Sequence, residues 1–204
     1  MLTRRTFIAG TAAASVLAAA SPAFAAKIPL NTISRYLNGL QTATSDFTQI
    51  NDDGTISTGK IYISRPGKMR FDYNPPEKSL VVVGAGSVAV FDAKSNANGP
   101  EQYPLSRTPL SIILERNVDL GRRNMVVGHR EEGTKTIVTA QDPAHPEYGK
   151  IDLVFTDNPV QLRQWVITDG SGTKTTVVLG DLKAGGSLPS QLFNISAETA
   201  KRRG

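Results

Sequence analysis

Residues 58–73, TGKIYISRPGKMRFDY, contain two short strand patterns that meet at Pro66. Each pattern alternates apolar with polar residues, and successive side chains of a strand point to opposite faces of a sheet. The stretch therefore predicts two neighbouring antiparallel strands with one shared apolar face. The apolar residues on that face are Ile61, Ile63, Met69 and Phe71.

Arg65 interrupts this alternation. It has the same phase as Ile61 and Ile63, so a continuing strand would place its charge on the apolar face. An unpaired charge in an apolar environment is costly. Either the strand ends before Arg65, or the guanidinium has a partner inside the fold.

Further strand patterns follow at regular spacing, separated by turn signals such as Asp53-Gly54 and Asp169-Gly170. They are residues 47–49, 80–83, 88–91, 125–127, 135–140, 150–155, 162–168 and 174–179. About ten strands in this arrangement predict one curved antiparallel sheet or barrel. Either Leu80 and Val82 or Val81 and Val83 extend the apolar face of residues 58–73.

Two helical patterns accompany the strands. Residues 29–42 carry apolar side chains at spacings of three and four, which predicts a helix. A second, shorter helix with one apolar stripe is predicted after Thr108 and Pro109, which resemble an N-cap and a first helical residue. Residues 96–104 lack periodicity and are predicted to form a polar loop. Both helices are too small to form a layer, so we expect them to plug or cover the concave side of the sheet.

The first 25 residues form a candidate export signal. Arg4 and Arg5 precede an alanine-rich stretch and a small-residue cleavage site, which predicts twin-arginine export; an ordinary secretory signal is the alternative. Residues 26–204 then form one domain, expected in the periplasm. The chain has no cysteine, and its net charge of +5 is too small to indicate nucleic-acid binding.

The sequence offers little catalytic chemistry. The two histidines, His129 and His145, lie on different predicted elements without a second metal ligand at suitable spacing. We therefore predict no enzymatic activity, no metal and no cofactor. The apolar face is either a filled core or the wall of a pocket, and a pocket beneath a movable helix with a buried cation suits a carrier of hydrophobic cargo.

Several of these motifs, in order along nearly the whole chain after residue 25, resemble the periplasmic outer-membrane lipoprotein carrier family, LolA. The matching motifs are residues 47–49, 59–67, 69–73, Pro76, 108–110, 113–114, 151–155, Leu162, Trp165, Asp169 and 192–193. The resemblance implies an incomplete antiparallel β-barrel of about eleven strands, covered by a small helical lid that encloses an apolar cavity.

The resemblance also implies a function. Family members take acylated lipoproteins from an inner-membrane, ATP-driven release complex, shield the acyl chains and pass them to an outer-membrane receptor, which carries an N-terminal lipid on cysteine. Arg65 matches the arginine that binds the lid helix backbone and holds the empty carrier closed. The implied cavity lining is Phe47, Ile61, Ile63, Met69, Phe71, Val81, Val83, Leu110, Ile113 and Leu114. We expect a monomer.

The C-terminus departs from the family pattern. After Phe193 the chain lacks the proline-rich continuation and extra strand of some members and ends in the basic residues 201–203. In those members the extension keeps cargo from returning to the inner membrane. Because this chain departs from that pattern, the resemblance does not imply the same ability here. The alternative function is a carrier or sensor of another hydrophobic ligand, such as a free lipid, on the same fold.

Overall fold

A single antiparallel sheet dominates the computed structural model, which describes residues 27–92, 99–121 and 124–203. The predicted export signal, residues 1–25, lies outside the described residues. The strands are β1 (Thr42–Ile50), β2 (Ile56–Ser64), β3 (Lys68–Tyr73), β4 (Leu80–Gly84), β5 (Ser87–Phe91), β6 (Glu101–Pro104), β7 (Val126–Glu132), β8 (Lys135–Gln141), β9 (Lys150–Thr156), β10 (Gln161–Thr168), β11 (Lys174–Leu179) and β12 (Lys183–Ala184).

The sheet curves into a barrel that does not close. Its strand order is β6-β5-β4-β3-β2-β1-β11-β10-β9-β8-β7, and the short β12 pairs with β1 beside this path. β6 and β7 lie at the two edges and do not pair with each other. The predicted fold class, an incomplete antiparallel barrel with small helices, is confirmed.

The pair β2 and β3 has the register that its alternation predicts. Ile61 lies opposite Phe71 and Ile63 opposite Met69, and all four side chains are buried in the main apolar core. On β4, Val83 belongs to that core and Val81 packs against it. Leu80 and Val82, which alternate with them, belong to a separate cluster on the opposite face. The concave face therefore continues through Val81 and Val83.

The helices are α1 (Leu30–Gly39), α2 (Leu110–Leu114) and α3 (Ile195–Arg203), with short 3-10 turns at Leu105–Arg107, Pro146–Tyr148 and Ser190–Phe193. The apolar side chains of α1 and α2 join the main core on the concave face, as predicted, and we call these two the lid helices. The start of α2 differs from the prediction. Pro109 occupies the N-cap, and the Thr108 hydroxyl donates to the carbonyl oxygen of Leu105 at 2.9 Å instead of capping the helix.

The prediction of a polar loop over residues 96–104 is wrong at its C-terminal end. Residues 101–104 form β6, which pairs with β5 in antiparallel register. All four residues are exposed, so the strand has no buried face to produce an apolar alternation. An edge strand pairs on one side only, which also explains why Pro104 is tolerated there. Residues 96–98 lie outside the described part of the chain.

Helix α3 covers the convex face of the sheet, where the sequence indicated only a basic tail. Beneath it lies a small apolar cluster formed by Leu80, Val82, Ala89 and Phe91, with Ile195 packed against it. Arg70 ties the helix down, because its guanidinium contacts Glu198 at 3.3 Å and the carbonyl oxygen of Leu192 at 3.1 Å. These long-range contacts stabilise a helix that has little apolar periodicity of its own.

Gly59 permits the close packing of β2 against its neighbours. A Cβ atom there would overlap the carbonyl oxygen of Asp72 and lie 2.7 Å from the Phe47 ring. We expect Gly59→Ala to lower the free energy of unfolding by about 1–3 kcal/mol, because the backbone or the ring must shift. Urea denaturation measures this change. Gly39→Ala is the control, since a Cβ atom there meets nothing within 4 Å, and an equal loss in both variants would contradict the packing explanation.

Candidate functional site

Arg65 is the most unusual residue of the concave side. Its side chain is buried, with the whole residue 8% exposed, and Nη1 donates a hydrogen bond to the carbonyl oxygen of Leu37 in α1. Nη2 donates to the carbonyl oxygen of Glu115, directly after α2, at 2.5 Å. β2 ends at Ser64, so both explanations of the interrupted alternation hold: the strand has ended, and the guanidinium has partners inside the fold.

Electrostatic attraction favours the contact between the Arg65 guanidinium and the ends of the lid helices. The last carbonyl groups of a helix lack intrahelical partners, and in a helix as long as α1 they carry partial negative charge. Burial lowers the pKa of Arg65, and the nearby Glu115 carboxylate opposes this shift. The guanidinium nevertheless stays charged at neutral pH, because the ordinary arginine pKa is so high. One cation thus bridges the ends of both lid helices.

A second set of hydrogen bonds joins α1 to the segment that follows α2. The Asn38 amide donates to the carbonyl oxygen of Val118 at 2.8 Å and accepts from the Val118 backbone N–H at 2.9 Å. The Ser34 hydroxyl accepts from the backbone N–H of Leu120 at 3.1 Å. Since α1 and this segment satisfy each other's polar groups, they form one unit on the sheet.

Hydrogen bonds between described residues also connect this unit to the sheet. Besides the Arg65 contacts, the Gly67 N–H donates to the carbonyl oxygen of Leu114 at 2.9 Å, and the Tyr36 hydroxyl accepts from the Leu162 N–H at 3.1 Å. The Tyr36 ring also packs edge-on against Phe155. Apolar contacts add to this attachment, and the guanidinium supplies two of its directional bonds.

A cavity of about 390 Å³ lies between the start of α2 and the concave face, toward the end of the barrel away from Arg65. Its walls are mostly apolar, and its rim carries polar groups including Gln49, Arg107 and Asp169. The volume is near the small end of the range of about 300–1,000 Å³ that is typical of ligand pockets. The apolar wall includes Phe71, Val81, Val88, Leu110, Trp165, Ile167 and Val177.

The predicted lining residues divide between this cavity and the core beside it. Phe71, Val81 and Leu110 line the cavity. The others are buried in the main core, which extends beneath the lid helices: Phe47, Ile61, Ile63, Met69, Val83, Ile113 and Leu114. Their role in binding acyl chains stays a prediction. Sequence reasoning missed four apolar residues of the cavity wall: Val88, Trp165, Ile167 and Val177.

Tyr73 lies in the cavity wall and donates a hydrogen bond to Gln49 Oε1 at 2.7 Å. Burial raises the pKa of Tyr73 from its ordinary value of 10.0 to about 12. Because the folded protein keeps this phenol protonated to higher pH than the unfolded chain, its contribution to stability is full below pH 10 and is lost between pH 10 and about 12.

We expect Tyr73→Phe to flatten the alkaline fall in stability over this interval. Urea denaturation of both proteins between pH 9 and about 12 measures the difference in free energy of unfolding. Equal slopes in the two proteins would show that Tyr73 titrates as it does in the unfolded chain.

The described residues offer no group of three His, Cys, Asp or Glu that could hold a metal ion. His129 is half-buried, with Nε2 at 2.9 Å from the carbonyl oxygen of Ile28, and His145 is exposed and stacks on Tyr148. None of the helices in the described ranges is long and apolar enough to cross a membrane.

Together these features define a class: an unclosed β-barrel whose concave side holds two helices, bridged by a buried arginine, beside an apolar cavity. The model of the family described as "Outer membrane lipoprotein carrier protein LolA" matches residues 38–196, and the chain belongs to this family. The resemblance found in the sequence is confirmed.

Similar proteins carry the corresponding name. An "Outer-membrane lipoprotein carrier protein" of Azotobacter vinelandii is 24% identical over 189 residues, covering 88% of this chain and 89% of the relative. One from Methylococcus capsulatus is 26% identical over 180 residues, covering 82% of this chain and 83% of the relative. Among solved structures, a LolA superfamily protein from Nitrosomonas europaea matches with a TM-score of 0.46 and 10% identity, covering 82% of this chain and 98% of that one.

Proposed function

We propose that this protein is a lipoprotein carrier that binds the acyl chains of its cargo on the concave side of the barrel. Family membership is the observation that carries the proposal. An apolar cavity beside two helices that one buried guanidinium bridges suits such a cargo. The protein acts by binding and release, without catalysis.

The size of the cavity implies that the lid helices move when cargo binds. A volume of about 390 Å³ suits a small ligand, whereas a lipoprotein presents several long acyl chains. Movement of α1 and α2 away from the sheet would join the cavity to the apolar surface beneath them. Met69, Ile61 and Ile63, now in the closed core, would then contact acyl chains, as would the other predicted lining residues.

Arg65 acts as the latch of this lid. A hydrogen bond from a charged donor contributes about 1.5–3 kcal/mol, so two such bonds bias the lid toward closure without locking it. Each buried methylene contributes roughly 0.8 kcal/mol, so complete burial of several acyl chains would trap the cargo. A closed state that competes with cargo keeps binding reversible.

The transport route is part of the proposal. The protein receives cargo from an ATP-driven release complex of the inner membrane, crosses the periplasm as a monomer and delivers to an outer-membrane receptor. Export to the periplasm would follow from the signal in residues 1–25.

Incubating the purified protein with spheroplasts tests the function. We expect lipoproteins to appear in the supernatant in complex with the protein, at a level that rises with its concentration. An established carrier is the positive control, and absence of release while that control succeeds would overturn the proposal. Mass spectrometry of the extracted ligands distinguishes a lipoprotein carrier from the alternative, a carrier of free lipid, because the latter would yield lipid without lipoprotein.

A further inference from the structure

One residue of the cavity wall, Trp165, has a buried hydrogen-bond donor. Trp165 is 0% exposed, and its Nε1 has no hydrogen-bond partner among the described residues. The ring packs edge-on against Phe71 and lines the cavity. A buried donor without a partner is costly, and native proteins keep few of them.

We propose that, once the lid helices have moved and the indole is accessible, Trp165 Nε1 donates a hydrogen bond to a carbonyl oxygen of the cargo, at the ester or amide that begins each acyl chain. The inference rests on the proposed function and adds a polar element to its apolar site. An indole N–H is a donor only, so its partner must be an acceptor, and a carbonyl is the acceptor that an acyl chain brings with it.

Two polar side chains that line the same cavity bond to other residues. The Tyr73 hydroxyl donates to Gln49, and the Gln49 amide donates to Asn51 Oδ1 at 2.7 Å. Within the described part of the chain, the only other buried side-chain nitrogen or oxygen without a partner is Arg65 Nε, which is absent from the residues that line this cavity. Among the described residues that line this cavity, Trp165 is therefore the one with a buried side-chain donor that lacks a partner.

The position of Trp165 along β10 fits the shape of an acyl chain. Leu162, at one end of the strand, contacts Tyr36 of α1, and Ile167, toward the other end, lines the cavity near its polar rim. Trp165 lies between them. A chain with its carbonyl at Trp165 and its tail toward Leu162 would extend beneath the lid helices and keep its polar end at the rim.

A matched pair of lipids tests the proposal: a short-chain diacyl phosphatidylcholine and its dialkyl ether analogue, which differs by lacking the carbonyl oxygens. Calorimetric titration of the full chain should show about two- to tenfold tighter binding of the diacyl lipid, the contribution of one neutral hydrogen bond. Trp165→Phe should remove this preference and retain binding of the ether lipid. Tyr62→Phe, on the opposite face of β2, is the control and should keep the preference.

A second measurement does not depend on the folding of a variant. The chain contains one tryptophan, so ultraviolet resonance Raman spectra of the wild-type indole report this site alone. The diacyl lipid should shift the N–H hydrogen-bonding band, and the ether lipid should not. Equal affinities of both lipids, or a preference that persists in Trp165→Phe, would overturn the carbonyl contact while leaving the carrier function intact. Failure of both lipids to bind would overturn the carrier proposal as well.

Discussion

Replacing Arg65 with leucine is expected to release the lid helices and to slow cargo transfer more than it impairs folding. The substitution removes both guanidinium bonds and leaves the carbonyl oxygens of Leu37 and Glu115 without this donor. A loss of about 3 kcal/mol in the free energy of lid opening corresponds to about 100-fold faster hydrogen exchange of amides in α1.

Hydrogen–deuterium exchange measured by mass spectrometry can locate this effect. Peptides from α1 and from residues 110–120 should exchange faster in Arg65→Leu, whereas peptides from β9 and β10 should change much less. Exchange at the wild-type rate in α1, together with transfer of lipoproteins at the wild-type rate, would contradict the latch.

Arg70→Leu is a matched control for Arg65→Leu. Arg70 lies on the neighbouring strand β3 and contacts Asp72 at 2.8 Å as well as Glu198, all on the convex side. Its loss should therefore speed exchange in α3 and leave α1 unchanged. The same chemical change at these two positions thus separates the lid contact from a general loss of a buried arginine.

Replacing Val81 with aspartate is expected to abolish acyl-chain binding. Val81 lines the cavity and is only partly buried, so the folded protein has room for a carboxylate there. An acyl chain in the cavity would strip water from that carboxylate, and an unpaired charge in apolar surroundings is strongly unfavourable. We expect affinity for the short-chain diacyl lipid to fall by at least about 100-fold.

Val127→Asp is the control for this substitution. Val127 is 58% exposed on the edge strand β7, so the same change should alter neither binding nor stability appreciably. Calorimetric titration gives the affinities, and urea denaturation confirms that each variant is folded. Undiminished lipid binding by folded Val81→Asp would show that acyl chains lie elsewhere.

The sequence predicted the features that depend on local alternation. The apolar phase of residues 58–73 gave the register of β2 and β3, and the position of Arg65 indicated either the end of the strand or a partner inside the fold; both hold. The family resemblance supplied the identity of that partner, the lid helix backbone. Local patterns were sufficient here because one face of each strand is buried and the other is not.

Features that depend on long-range contacts were missed. β6 has four exposed residues and exists because β5 offers an edge to pair with. α3 depends on Arg70 and on an apolar cluster contributed by β4 and β5. The division of the apolar face between filled core and cavity also escaped prediction, because alternation shows which way a side chain points and not what lies opposite it.

Photo-crosslinking tests most directly whether acyl chains enter the cavity. A photoreactive phenylalanine at Tyr103, a partly exposed position in the cavity wall, is compared with the same residue at Val127 on the edge strand. Each full-length variant is incubated with spheroplasts whose lipoproteins carry radiolabelled palmitate and is then irradiated. Label joined to the protein at position 103 and not at position 127 is the predicted result. Equal labelling at both positions, or label at position 127 alone, would contradict acyl-chain binding in the cavity.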